Sequence, residues 1–528
     1  MTKRIMYQRN AFGNPDGSRT DIEDMLNDFI EFDGFFPSLS MHYDQKIRVI
    51  VGAKGSGKTV YLRRLNANLK QNESIYLREI EHELPSTDLV VRFSQNFIER
   101  EITEKWMYLW KFAILRCLIS NILFNKDWAK EISESDKNKL LVYEGVIFPK
   151  YKVVSSIYAE ARNILSEYTT ANSFNKYSNL REWDEIEGVI TNLLLKLPPI
   201  YFFIDSVDEE YSHAPMYWLR CQKGLFYRVM RFFRYGIYGN KLHVIISIRD
   251  NVFSSILKSE HQTRYVNEEH IKLLNWNYES IKYFLDKKIT KLNDCYFIQG
   301  CNDGKNLYTW LGLNSISNIQ RDIEEPLEQY ILRHTRLLPR DIIVLGNSLA
   351  EIKLLKEQHG NLNVENEIRK RVSRCAKKFG NELLQICANQ IINNEMPGDA
   401  GKKEYSEVYT SINEYTESIS SIIKEILYDM GKDKFTWEEL KQIQEIAKNK
   451  IGTNSKILDV LWQNGGLGYI EDSPNGKIEN FFIDEEFEEF LLPKKKEMYV
   501  LRSCLIDACG IKPKKWDKDP VLGGNVYV

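Results

Sequence analysis

Eight residues constrain this chain more than any other segment. Gly52-Ala53-Lys54-Gly55-Ser56-Gly57-Lys58-Thr59 follow Lys46-Ile47-Arg48-Val49-Ile50-Val51 and precede Val60-Tyr61-Leu62-Arg63-Arg64-Leu65. They match G-x-x-x-x-G-K-[ST], and the flanks are those the pattern needs. A β-branched strand delivers the loop, and a helix begins at its end, so that its first N–H groups face phosphates. Gly52, Gly55 and Gly57 let the backbone curl with its amides inward. Lys58 is placed to reach β- and γ-phosphates, and the Thr59 hydroxyl to ligate Mg²⁺. Residues Gly52 through Val60 are therefore the predicted phosphate-binding set, within an α/β parallel sheet.

A second signal lies at Ile200-Tyr201-Phe202-Phe203-Ile204, an apolar run after Pro198-Pro199 that ends in Asp205-Ser206-Val207-Asp208-Glu209-Glu210. Such a run reads as a strand buried on both faces. Ligands of open α/β sheets bind beyond the carboxyl ends of strands, which places Asp205 beside the metal. Asp208 or Glu209, in the turn that follows, is the candidate for orienting an attacking water. A third strand, Leu242 to Ile248, ends in Arg249-Asp250; Ser247 and Arg249 are candidates for sensing a terminal phosphate. Arg249 has an equal alternative as a local ion pair with Asp250. His270 to Leu274 supplies another strand, followed by an amphipathic helix around Ser280 to Ile289. The fifth strand is either Ser74 to Leu77 or Leu89 to Phe93.

At these residues the chain resembles the AAA+ and STAND branch of P-loop ATPases. The spacing Asp205-x-x-Asp208-Glu209 is similar to that of STAND proteins of the NACHT type. The resemblance implies bound ATP and Mg²⁺, and a helical lid after the core. Leu338-Pro339-Arg340-Asp341 opens a helix with Pro339 in its first turn, a favoured position for proline. By resemblance, Arg340 is a γ-phosphate contact; its alternative is a helix cap paired with Asp341. Lys58 and Asp205 are 147 residues apart, so the core holds a large insertion, mostly helical from about 97 to 185, with Trp106, Trp110 and Trp183. Arg228, Arg231 and Arg234 repeat at three-residue spacing, read as a solvated basic face in preference to a contact with a neighbour's nucleotide.

Asn393 to Lys403 is the clearest linker. Beyond it come a helix near Tyr415 to Tyr428, a second opening at Phe435 to Leu440 and a third at Thr453 to Gln463. A hairpin follows, from Leu467-Gly468-Tyr469 to Phe481-Phe482-Ile483. This order resembles a winged helix. Its third helix carries Lys456 and no arginine, which is poor for reading base edges. A packing role is therefore favoured over sequence-specific DNA binding. The expected organisation is an N-terminal strap at 1–45, the core at 46–275, the lid at 276–392 and a winged-helix-like domain at 404–528.

Composition narrows the function classes. Lys plus Arg number 72 against 74 Asp plus Glu, a net charge of −2, so no global field draws the chain to nucleic acid or membrane. The 8 cysteines form no C-x-x-C pair and read as reduced thiols. No apolar run reaches the ~20 residues of a membrane span, and the first residues do not read as a secretory signal, so a cytoplasmic location is expected. The reading that unites these signals is an ATP-hydrolysing molecular switch that oligomerises or changes conformation to regulate a separate effector. The resemblance implies a setting such as anti-phage defence. The alternative is a DNA-binding ATPase of the initiator or transposition-helper type.

Overall fold

The sheet that carries the loop is built from strands far apart in the chain. The computed structural model describes residues 10–30, 47–71, 75–81, 85–205, 214–234, 236, 238–257, 262–265, 268–319, 321–395, 405–452, 455–473, 476–482, 491–494, 496–512 and 521–522. Strands β1 (Val49–Gly52), β2 (Tyr76–Glu81), β3 (Ile200–Ile204), β4 (Leu242–Arg249) and β5 (Ile271–Leu273) lie in the order β2-β3-β4-β1-β5. Every neighbouring pair is parallel. β1 and β3 are apolar along their length because helices cover both faces of the sheet. The register sets Gly52 opposite Arg249 and Ile204 opposite Ile246. The loop after β1, Asp205 after β3 and the end of β4 therefore share one edge.

Of the two candidates for the fifth strand, the one at Ser74 to Leu77 overlaps β2. Leu89 to Phe93 lies instead inside the helix Thr87–Gln95. The Ser86 side chain accepts the Leu89 N–H at the start of that helix, Asp88 stands in its first turn and Arg92 in its last. Val90, Val91 and Phe93 are buried, and that burial outweighs the strand preference of the β-branched pair.

The insertion between β2 and β3 is helical. Its spine, Glu99–Phe124, has Trp106 and Trp110 fully buried, with their indole N–H groups donating to Ser94 Oγ and the Cys221 carbonyl at 3.0 Å each. Each buried indole removes roughly 150–250 Å² from water. Trp183 stacks on Phe112 with ring centres 4.2 Å apart. Among the described residues this spine is the one helix long and apolar enough to cross a membrane, yet 78% of its apolar window is buried in the protein.

The lid contains the helix Tyr278–Lys291, a two-stranded ribbon of β6 (Ser315–Asn318) and β7 (Ile323–Pro326), and the helices Leu327–Arg333, Pro339–Gln358 and Val364–Glu395. No pattern in the sequence marks the ribbon in advance. The C-terminal region has helices Tyr405–Met430, Trp437–Lys450, Ile457–Gln463 and Ser503–Cys509. Its sheet combines β8 (Lys434–Phe435), β9 (Leu467–Ser473), β10 (Gly476–Phe481), β11 (Met498–Leu501) and β12 (Val521–Leu522). Thr436 and Glu439 form a reciprocal capping box at the start of Trp437–Lys450, as the sequence Thr-Trp-Glu-Glu suggests. The third helix, Ile457–Gln463, turns Ile457, Leu458, Val460, Leu461 and Trp462 inward. The expected linker overlaps the end of Val364–Glu395, and residues 396–404 lie outside the described residues.

At the end of the strands opposite the loop, His243 on β4 stacks on Tyr201 of β3 at 4.4 Å and accepts from Arg48 Nη2 at 2.8 Å. Burial, followed by the Arg48 charge, pushes its pKa down from 6.5 to about 4. A depressed folded value means that the stability is fully present above about pH 6.5 and is lost as pH falls through about 4. We expect urea denaturation to show a loss of roughly 2–3 kcal/mol across this window from His243 alone. His243→Gln should flatten that part of the profile. A slope identical to wild type would remove His243 as its source.

Candidate functional site

Gly55 and Gly57 adopt φ of +95° and +96°, the left-handed region open to glycine at no steric cost. Gly57 is the N-cap of the helix Lys58–Leu69 and supplies no side-chain cap. The helix thus starts directly at the glycine loop, and the N-terminal end of a helix is where an anion is favoured. Lys58 Nζ lies across its own loop, donating to the carbonyls of Gly52 at 3.0 Å and Ala53 at 3.1 Å.

Asp205 directly follows the carboxyl end of β3. Thr59 Oγ1 donates to Asp205 Oδ2 at 2.6 Å, and Ser247 Oγ donates to Oδ1 at 2.5 Å. Two hydroxyls, from the loop helix and from β4, thus hold both carboxylate oxygens. The backbone behind them is tied down as well. The Asp205 N–H donates to the Glu81 carbonyl at 3.1 Å, and the Asp205 carbonyl accepts from Tyr158 at 3.1 Å. Hydroxyl and carboxylate oxygens are hard donors that suit Mg²⁺ held jointly with phosphate and water. Ser56 Oγ, buried within the loop, has no hydrogen-bond partner among the described residues, so the cradle keeps an unused polar atom for a ligand. Among the described residues no three His, Cys, Asp or Glu side chains converge.

The sensor candidates separate. Ser247 joins Asp205. Arg249 is buried opposite Gly52 and, with Ala53, Lys54, Arg336 and Arg502, lines a second cleft. Arg340 reaches the loop: its N–H donates to the Gly55 carbonyl at 3.3 Å, its Nε to the Pro15 carbonyl at 3.3 Å, and its Cβ packs over Gly55. Asp341 is not its partner, because Arg336 engages both Asp341 oxygens at 2.6 and 3.0 Å. Asp208 and Glu209 lie outside the described residues.

Arg228 is not part of a solvated face. It is buried, donates to the Met107 carbonyl at 3.0 Å and packs over the rings of Tyr108 and Phe232, and burial pushes its pKa down to about 10. The helix turns inward at this position because the insertion spine packs on it. Arg231 instead lines an open groove with Arg100, Arg264 and Tyr227.

The N-terminal segment carries no chemical motif, yet it completes the pocket. The Phe12 N–H donates to Asn347 Oδ1 at 2.7 Å, and Asn347 Nδ2 returns a bond to the Gly13 carbonyl at 2.9 Å. The Phe12 ring lies against Gly346 and 5.0 Å from the Trp310 ring. Arg63 donates to the Gly17 carbonyl. Residues 13–17 thus bridge the loop helix and the lid, over an apolar cleft lined by Phe29, Ile30, Tyr61, Phe284 and Ile343. An apolar slot continuous with a phosphate cradle suits a planar base. Asn-Pro-Asp-Gly marks a turn but carries no chemistry of its own, so nothing local points from it to the pocket. Truncating a buried phenylalanine costs roughly 3–5 kcal/mol, so we expect Phe12→Ala to open residues 13–20 to limited proteolysis. Unaltered cleavage would mean that Phe12 is not the anchor.

No family model and no curated protein matches the chain. A solved structure of the ORC2 protein of Aeropyrum pernix, in complexes with ADPNP and ADP, aligns at 11% identity over 88% of this chain and 87% of that chain, with a TM-score of 0.32.

Proposed function

We propose that this chain is an AAA+-type P-loop ATPase that binds MgATP between the loop and the lid and acts as a conformational switch for a separate effector. The observation that carries this reading is the juxtaposition of the glycine loop, at the N-terminal end of its helix, and Asp205 held by Thr59 and Ser247. Lys58, Arg340 and the base slot under residues 13–17 support it. Asp208 or Glu209 is assigned to positioning water; Arg249, which lines the second cleft, is given no phosphate contact. A switch role is supported by the C-terminal domain. Its third helix is inward-facing and hydrogen-bonded to the lid through Gln390 and Gln463 at 2.6 Å, which favours a packing role. Self-association and an effector of the kind found in anti-phage systems complete the proposal.

One observation favours the DNA-handling alternative. Arg100, Arg231 and Arg264 line one groove beside Tyr227, and guanidinium groups next to an aromatic ring suit phosphates and bases. One experiment separates the two: ATP turnover and particle size, with and without duplex DNA, for wild type, Asp205→Asn and Arg231→Glu. The switch reading expects turnover that Asp205→Asn abolishes, with no response to DNA. Turnover stimulated by DNA in wild type and unstimulated in Arg231→Glu would replace it with the alternative.

A further inference from the structure

Within the glycine loop, Lys54 has a partner outside the core. Its Nζ lies 3.2 Å from Glu382 Oε1, on the lid helix Val364–Glu395. The other carboxylate oxygen, Glu382 Oε2, lies 2.9 Å from Arg336 Nη2. Arg336 is in turn clamped by Asp341 in the first turn of Pro339–Gln358. The links differ in exposure. Arg336 and Asp341 are 5% and 0% exposed, whereas Lys54 and Glu382 are 34% and 28% exposed. The Arg336–Asp341 clamp is therefore fixed, and the Lys54–Glu382 contact is the joint that can open. Burial raises the Glu382 pKa, but Arg336 and Lys54 outweigh it and hold the carboxyl below its ordinary range, so Glu382 stays ionised near neutrality.

The same helix is locked to the C-terminal domain. A Cβ on Gly380, two residues before Glu382, would meet the Cys504 carbonyl oxygen at 2.1 Å, and Ser373 Oγ donates to Asp507 at 2.6 Å. Glu382 therefore lies on a helix packed directly against the helix Ser503–Cys509.

We propose that Glu382 is a positioning residue that competes with the terminal phosphate of ATP for Lys54, and so sets the discrimination between ATP and ADP. This inference rests on the nucleotide-binding reading above. Glu382 holds Lys54 on the lid when no terminal phosphate is present. The added charge of the γ-phosphate draws Lys54 into the loop, frees Glu382 and alters the seating of the C-terminal domain. Glu382→Gln keeps an acceptor for Arg336, and Asp341 keeps Arg336 paired, so the variant retains its fold.

The test uses the whole chain. Affinities for ATP, ADP and inorganic tripolyphosphate are measured for wild type, Glu382→Gln, Glu382→Asp, Lys54→Ala and Lys54→Ala/Glu382→Gln, with hydrogen exchange read at residues 503–509. We expect Glu382→Gln to tighten ATP and tripolyphosphate roughly five- to tenfold, a range set by one charge pair at a partly exposed site. ADP should change less than about twofold, because it lacks the competing phosphate. ATP should alter exchange at residues 503–509 in wild type and Glu382→Asp but not in Glu382→Gln, and the double variant should match Lys54→Ala. Equal shifts for ATP and ADP, or additive effects of the two substitutions, would overturn the competition while leaving the nucleotide site intact. If wild type binds no ATP, both readings fall.

Discussion

Glu479→Ala is expected to cost about 3–5 kcal/mol and to detach the C-terminal domain from the lid. Glu479 sits on β10, 2% exposed, with Arg321 at 3.1 Å and Arg333 at 2.8 Å, and these arginines are 2% and 3% exposed. Arg333 also reaches Glu325 at 3.2 Å, and Glu325 accepts from Asn318 at 2.7 Å. Removing Glu479 takes away the carboxylate that both buried guanidinium groups share. The cost comes from losing a shared carboxylate between two buried guanidinium groups, a larger loss than exchanging the whole group for apolar side chains. A triple replacement, Arg321→Met, Arg333→Met and Glu479→Leu, should therefore be less destabilising than Glu479→Ala. Thermal unfolding and protease release of the C-terminal region measure both. A loss below about 1 kcal/mol in Glu479→Ala would contradict the account of the docking. pH supplies an independent check. Burial raises the Glu479 pKa, but Arg333 and Arg321 overcome it and hold the value below the usual 4.5. The contribution of this carboxylate is thus fully present above about pH 4.5 and is lost as pH falls through the lower folded value.

Lys58→Ala should abolish ATP turnover, with a loss on the order of 10²–10⁴-fold for removing a charge at the developing phosphate. Lys58 Nζ spans the Gly52 and Ala53 carbonyls, so its removal deletes a cation from the centre of the cradle and leaves those two acceptors without it. The loop conformation depends instead on Gly55 and Gly57 and is expected to survive. Turnover by wild type and Lys58→Ala within a factor of about three, measured by phosphate release, would remove Lys58 from the chemistry.

Legibility in the sequence followed from how local each signal was. The strand, glycine turn and helix around residues 49–69 were legible because the whole signal lies in consecutive residues. Asp205 was legible because a two-sided apolar strand ends just before it. Pro339 correctly marked the start of the helix that carries Arg340 to the loop. Leu89 to Phe93 was ambiguous because a short run with β-branched residues fits a strand or a buried helix equally well, and only the Ser86 cap and the packing resolved it. Arg228 could not be separated from Arg231, since the sequence does not show which guanidinium meets the insertion. The Glu479 network joins residues up to 158 positions apart, and Lys54–Glu382 spans more than half the chain. No local pattern announces pairs at such separations.

The most direct test of the central claim is a calorimetric titration of wild-type protein with ATP, with and without Mg²⁺, followed by unfolding at saturation. We expect one site per chain, tighter binding with Mg²⁺ and about 2.7 kcal/mol of added stability at ATP concentrations near 100 times Kd. No heat of binding and no stabilisation in wild-type protein would contradict a nucleotide site between the glycine loop and the lid.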